Sequence, residues 1–460
     1  MLKSLSINQT IKTLRPFLII WFGQLVSLTG SNLTSFALDI WVYQKTGSVT
    51  QFALASLCVT LPFILISPIA GTFVDRWDKR WTMFFSDLGA GIVTLLIALL
   101  FYFDQLHIWY IYLGLVIMSI CNVFQRLAAT TATNLLVPNR HLGRALGIVK
   151  SGEYGCDIFT PLFSGILLLS VQLQGVLLID CITYLFSLGT LLLVNFPNNQ
   201  QSVIELDTLG LDKSTGDIDR LDLNQTEKPQ SGSITKELVY GWRYISSRLD
   251  IKSLILYSLA NNFIVAMVVI LMMPHLLSFV STGTAGTIMS IGSFGGFLGS
   301  IAIGIWGGPK RRIDGILGLG FFIGICIITA GLRPSITLTI VSIFSGFFCF
   351  AIVNALSHAL LLTKISSNIQ GRVFGLISTM SGASRPFAYF LAGPLVDMVF
   401  EPLLATNGFL ANNVGMVIGV GRGRGIGLLF IVLGLLQVAI SVTAYTYRPL
   451  RFIEKDLPNI

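Results

Sequence analysis

Charge is what this 460-residue sequence has least of: Asp, Glu, Lys and Arg together make up 11% of it, where a soluble globular chain carries about 25%. A water-facing surface for a chain of this length needs more ionised groups, so an ordinary soluble fold is excluded. Cysteine is sparse too. The six residues Cys58, Cys121, Cys156, Cys181, Cys326 and Cys349 fall in apolar stretches with no C-x-x-C spacing, so packed thiols are expected rather than a metal or redox centre. No H-E-x-x-H pattern occurs among the four histidines. The glycine tract Gly419–Gly427 has no strand–turn–helix context and no Walker Gly-Lys-Ser/Thr, which leaves it a loop and helix start rather than a nucleotide loop. No cofactor and no metal are therefore expected. A net charge of +8 comes without a basic stripe or an aromatic-interleaved basic patch, so no nucleic-acid partner is expected. The N-terminal apolar run continues far past an h-region with no cleavage site after it, unlike a secretory signal.

Apolar length fills the sequence instead. Hydrophobic residues make up 53%, and the mean hydropathy is +0.77. In a bilayer a helix can be apolar all round, and about 20 such residues span the hydrocarbon. The pattern predicts helices near 16–44, 49–74, 81–103, 108–136, 144–170 and 174–196, then 252–280, 284–308, 313–332, 335–363, 371–400 and 425–447. Residues from Pro197 to about Lys236 are rich in Asp, Asn, Gln, Ser and Thr, which predicts a flexible linker. Ile234–Leu249 is amphipathic and predicts an interfacial segment. The expected architecture is an all-α membrane fold of twelve transmembrane helices in two pseudo-symmetric six-helix halves. Its units are residues 1–196, a linker at 197–250, and residues 251–460.

The basic residues set an orientation. One set of span ends carries Lys3, Lys12, Arg15, Arg76, Lys79, Arg80, Arg140, Arg144, Lys310, Arg311, Arg312, Lys364, Arg372, Arg448, Arg451 and Lys455. The opposite ends carry only Lys45, Arg333, Arg422 and Arg424. The positive-inside rule then places both termini and the linker in the cytoplasm, as an even number of spans also requires. An inner (plasma) membrane is the expected location.

Three landmarks recur between the halves. Gly71–Arg80 follows span two as Gly304–Arg312 follows span eight; Gly143-Arg144-Ala-Leu-Gly147 opens span five as Gly371-Arg372-Val-Phe-Gly375 opens span eleven; Pro161-Leu162 matches Pro394-Leu395. The offsets of 233, 228 and 233 residues read as an internal duplication, one of the recognised architectures of carriers.

Gly71-Thr-Phe-Val-Asp-Arg-Trp-Asp-Lys-Arg80 resembles the signature loop of the major facilitator superfamily, G-x-x-x-D-R-x-G-R-R/K, with Asp78 in place of the second glycine. The second copy has Gly308 where Asp75 sits, an asymmetry familiar in that superfamily. Phe36–Ser48, Leu136-Val-Pro138, Ala392-Gly-Pro-Leu-Val-Asp397 and Phe400-Glu-Pro402 resemble the macrolide-efflux branch of drug:proton antiporters, which includes bacterial siderophore exporters. Gly419–Gly427 resembles cyanobacterial members of that branch. The antiporter motif of span five, ending G-P-x-x-G-G, is present only as Thr160-Pro-Leu-Phe-Ser-Gly165. The resemblance runs essentially end to end and implies proton-coupled transport by alternating access.

Candidate site residues follow from cost, since a mid-bilayer charge without a partner costs at least about 2.5–3.5 kcal/mol. Asp39, Arg126, Glu153, Asp157 and Arg385 fall inside spans. Glu153 and Asp157 share a helical face at i, i+4. They belong either to a static interhelical network or to a substrate or proton pathway, with His358 a further coupling candidate. Asp180 is read as structural. Asn32, Asn261, Asn262 and Asn354 either line a cavity or bridge helices. Gly71, Asp75, Arg76, Lys79 and Arg80 form a candidate cytoplasmic gating loop, in which Asp75 would suit the N-terminus of span eleven. The expected partners are a small-molecule substrate, protons and the bilayer, with a monomer as the working unit. Efflux of an amphipathic small molecule (a drug, siderophore or peptide-like metabolite) stands first. Uptake or facilitative transport by the same fold is the alternative, and a membrane-embedded enzyme the more distant one.

Overall fold

The computed structural model describes residues 2–194, 243, 245–365 and 367–456. The expected linker, most of Ile234–Leu249 and the side chain of Arg372 lie outside the described residues. Twelve long helices are described: α1 (Leu2–Thr46), α2 (Val49–Arg76), α3 (Lys79–Tyr102), α4 (Ile108–Leu136), α5 (Leu142–Ser170), α6 (Gln172–Leu193), α7 (Leu249–Leu277), α8 (Thr282–Trp306), α9 (Arg312–Leu332), α10 (Ile336–Lys364), α11 (Ser367–Pro394) and α12 (Arg424–Thr446). Short polar side chains start several of them. Ser48, Asp78, Ser281 and Ser335 each accept a backbone N–H of the first turn of α2, α3, α8 and α10, satisfying donors that a helix start leaves unpaired.

Ten of the twelve are long and apolar enough to cross a membrane. The two that fall short are α5 and α11, which hold Glu153, Asp157 and Arg385. They occupy equivalent places in the two halves.

Packing repeats with the chain. In the first half α1 packs on α5 and α6, α2 on α4, and α3 on α4 and α6. In the second, α7 packs on α11 and α12, α8 on α10, and α9 on α10 and α12. Every pairing recurs six helices later. The halves meet through α2 on α11 and α5 on α8, which is the same contact in reverse order.

The seam between halves is tight at one end only. A Cβ on Gly393 would strike the Thr50 backbone, one on Gly286 the Pro161 carbonyl, and one on Gly165 would lie 2.8 Å from the Thr282 carbonyl oxygen. Glycine lets these backbones touch. At the other end, where the basic residues gather, a Cβ on Gly71, Gly143, Gly304 or Gly375 would meet nothing within 4 Å. The molecule is closed at the end opposite the basic residues and open at the basic end.

Candidate functional site

Between the halves lies a charged cluster. Glu153 on α5 accepts from Lys150 Nζ at 2.6 Å, one turn away, and pairs with Arg126 Nη2 of α4 at 3.4 Å. Arg126 also lies 5.8 Å from the centre of the Phe63 ring on α2. Glu153 is 29% exposed and its two cations about twice that, so the triad faces open space rather than a sealed core. Asp157, one turn along the same face, makes no ion pair among the described residues. It lies in the field of Glu153, Arg126, Lys150 and Arg385. Arg385 comes from α11, in the other half, so the field around Asp157 is set by both halves together.

The remaining candidates are placed elsewhere. Asp39 accepts from Ser56 Oγ of α2 at 3.1 Å, its other carboxylate oxygen is buried without a partner, and no described contact joins it to Glu153 or Asp157. His358 stacks on Phe374 of α11 at 5.6 Å. Asn354 donates to Phe350 O of its own helix at 3.0 Å, and Asn261 is buried with an unpaired carbonyl oxygen. Asn32 and Asn262 are half-buried.

The closed end is a polar latch. Pro394 has no N–H to give, and the following residues Leu395–Phe400 wind as a π-helix. This carries Asp397 against the start of α2, where its carboxylate accepts from Ser48 Oγ at 2.6 Å, Val49 N at 3.1 Å and Thr50 N at 2.8 Å. Glu401, one turn on, accepts from Gly423 N at 2.7 Å, and Arg422 reaches Gly47 O across the seam at 3.2 Å. Gln44 and Thr282 add a further cross-half bond at 3.2 Å. At the basic end the carboxylate of Asp75 is exposed and has no hydrogen bond or ion pair among the described residues.

The sequence profile of the Major Facilitator Superfamily matches residues 20–389. The chain belongs to that superfamily. Macrolide efflux protein A of Streptococcus pyogenes is 26% identical over 402 residues, which cover 83% of this chain and 90% of that protein. The multidrug efflux pump Tap of Mycolicibacterium fortuitum is 22% identical over 386 residues, covering 83% and 89%. Among solved structures, an inward-facing bacterial homologue of the human lysosomal transporter Spinster has the same fold, with a TM-score of 0.68 at 15% identity over 97% of this chain and 98% of that one. As a major facilitator the chain is a multi-pass membrane transporter, not an enzyme.

Its signature loop departs from the superfamily pattern for visible reasons. Asp78, in the place of a glycine, caps α3 by accepting from Trp81 N at 3.1 Å. Lys79 Nζ donates to Asp75 O and Trp77 O at 2.8 and 2.9 Å. Arg80 donates to Leu191 O and Leu192 O at 3.1 and 3.0 Å. Both cations therefore sit on carbonyls at helix C-termini, where positive charge is favoured. In the second copy, Gly307 and Gly308 have φ of +75° and +90°. A side chain is strained in that conformation, which explains the missing acid opposite Asp75.

Sequence reasoning overlooked two groups in this major facilitator. Lys150 was within reach by its i, i+3 spacing from Glu153. Asp87 on α3 is 3% exposed and accepts from Gln24 at 3.0 Å and Ser187 at 2.7 Å. Asp180 on α6, fully buried, accepts from Thr94 on α3 at 3.2 Å. These two carboxylates bridge helices of one half, which is the structural role read for Asp180.

Proposed function

We propose that this chain exports an amphipathic small molecule in exchange for protons, with Asp157 as the proton carrier. The observation that carries the reading is the setting of Asp157: no ion-pair partner of its own, yet within the field of Arg385 from the opposite half. Glu153 is already balanced by Lys150 and Arg126. A proton on Asp157 weakens its attraction for Arg385, and loss of the proton restores it. Protonation is thereby tied to the distance between halves, which is the coordinate of alternating access. Efflux is favoured by the relatives named for macrolide and multidrug efflux. The basic end faces the cytoplasm, so the geometry corresponds to a carrier open inward. The pathway lies within one chain, and a monomer is the working unit, in the bacterial inner membrane.

Reconstituted vesicles with the basic end outward test this. A macrolide added outside should accumulate in the lumen when that lumen is acidic, and not when the gradient is collapsed. Equilibration without accumulation, unaffected by the gradient, would make the chain a facilitative carrier, and accumulation only under the reversed gradient would make it an uptake system.

A further inference from the structure

The duplicated Gly143–Gly147 motif is not used by the transport reading above, and it borders an open groove. The groove, of about 920 Å³, runs along α5 with α1 as its floor, and is lined by Arg144, Gly147, Ser151, Gly155, Phe159 and Phe163 with Trp21, Leu25 and Thr29. At 100° per residue, Ser151 and Gly155 lie about 160° around α5 from Glu153. The groove therefore opens away from the charged cluster, toward the bilayer. A Cβ on Gly147 or Gly155 would meet nothing within 4 Å, whereas one on Gly152 would strike Leu25 at 2.8 Å, so the floor is closed and the lip is empty.

The polar groups in the wall are already satisfied, with one exception. Thr29 donates to Leu25 O at 2.8 Å and Ser151 to Gly147 O at 2.8 Å. Arg144, exposed at the basic end of the groove, makes no hydrogen bond or ion pair among the described residues. From Arg144 to Phe163 the helix rises about 28 Å, more than the roughly 15 Å of one leaflet's hydrocarbon. An unpaired cation at the basic end, with an apolar channel leading from it that is long enough to hold an acyl chain, suits an anionic lipid.

We propose that this groove is a binding site for an anionic phospholipid of the leaflet at the basic end, its phosphate on Arg144 and one acyl chain along Gly147, Gly155 and Phe159. Native mass spectrometry of the full chain, titrated in detergent with dioleoyl phosphatidylglycerol or dioleoyl phosphatidylcholine, tests it. The wild type should retain phosphatidylglycerol several-fold better. Arg144→Gln should lower that preference about fivefold, the effect of one basic side chain near a charged lipid surface. Gly155→Leu, which fills the channel on an open face, should lower retention of both lipids. Arg140→Gln, on the neighbouring turn Asn139–His141, should leave both unchanged. Equal retention of the two lipids by the wild type would overturn the site. So would a preference that survives Arg144→Gln with retention unaffected by Gly155→Leu. Displacement of phosphatidylglycerol by millimolar sodium phosphate would assign Arg144 to free phosphate and overturn the lipid.

Discussion

Asp397, in the π-helical turns that follow α11, and Thr50 on α2 are joined by a 2.8 Å hydrogen bond that crosses from one half of the molecule to the other. With Ser48 and Val49 on the same carboxylate, the acid occupies the N-terminus of α2, where partial positive charge collects. Asp75 stands near the C-terminal end of α2, and α2 packs against α11. A reach from Asp75 to the N-terminus of α11 would reproduce the Asp397 contact with the helices exchanged. In this structure the first contact is made and the second is open.

Asp397→Asn should therefore weaken closure of the end opposite the basic residues. A carboxylate at a partly buried helix N-terminus is worth up to about 2 kcal/mol, and 1.4 kcal/mol shifts a two-state ratio tenfold. Spin labels at Lys45 and Phe409, exposed on the two halves at that end, should gain a longer-distance population. A distribution like the wild type's would reduce the three hydrogen bonds to packing.

Asp75→Asn should act with the opposite sign. The carboxylate has no partner in the state described here, so this state should be untouched while the basic-end-closed state loses its latch. Labels at Arg140 and Lys310 report that end. Their short-distance population should fall, and a rise would mean that Asp75 opposes closure instead of holding it.

How far the sequence could be read follows the physics of each feature. The spans were legible because a bilayer demands about 20 apolar residues, and α4 matches its expected limits at both ends. The last turns of the expected span 371–400 were not, since apolar periodicity does not distinguish an α-helix from the π-helical stretch Leu395–Phe400. The Glu153–Asp157 face was legible from i, i+4 spacing, and Arg126 is its partner at 3.4 Å. Asp39 does not join them, because its side chain turns toward α2 and Ser56. Asp87 passed unnoticed because its partners Gln24 and Ser187 come from distant helices. Asp397 was visible only through family resemblance; a contact 347 residues away leaves no local pattern.

The proposed orientation places the Pro197–Lys236 linker in the cytoplasm. In a cysteine-free background, Ser214→Cys should be labelled by an impermeant maleimide only after the membrane is opened. Phe409→Cys, at the opposite end, should be labelled in intact cells. Labelling of Ser214→Cys from outside would invert the assignment and, with it, the inward-open reading.

The proton-coupling proposal separates two acids that one helical face brings together. Glu153 is held between Lys150 and Arg126, so two cations already balance it. Glu153→Gln leaves two cations facing each other with one acid fewer, and should lower transport at every pH without abolishing its dependence on the gradient. Asp157 has no such clamp, and its charge is felt across the seam by Arg385. Asp157→Asn fixes the neutral form, so gradient-driven accumulation should vanish while downhill exchange of substrate survives. Arg385→Gln should behave like Asp157→Asn, because either change removes the attraction that protonation is proposed to switch. All three variants should be measured in vesicles at matched protein content, as accumulation and as exchange. Uphill transport that persists in Asp157→Asn with its pH dependence intact would move the carrier role to Asp39 or His358. Loss of coupling in Glu153→Gln alone would return it to the member of the pair that the ion-pair geometry disfavours.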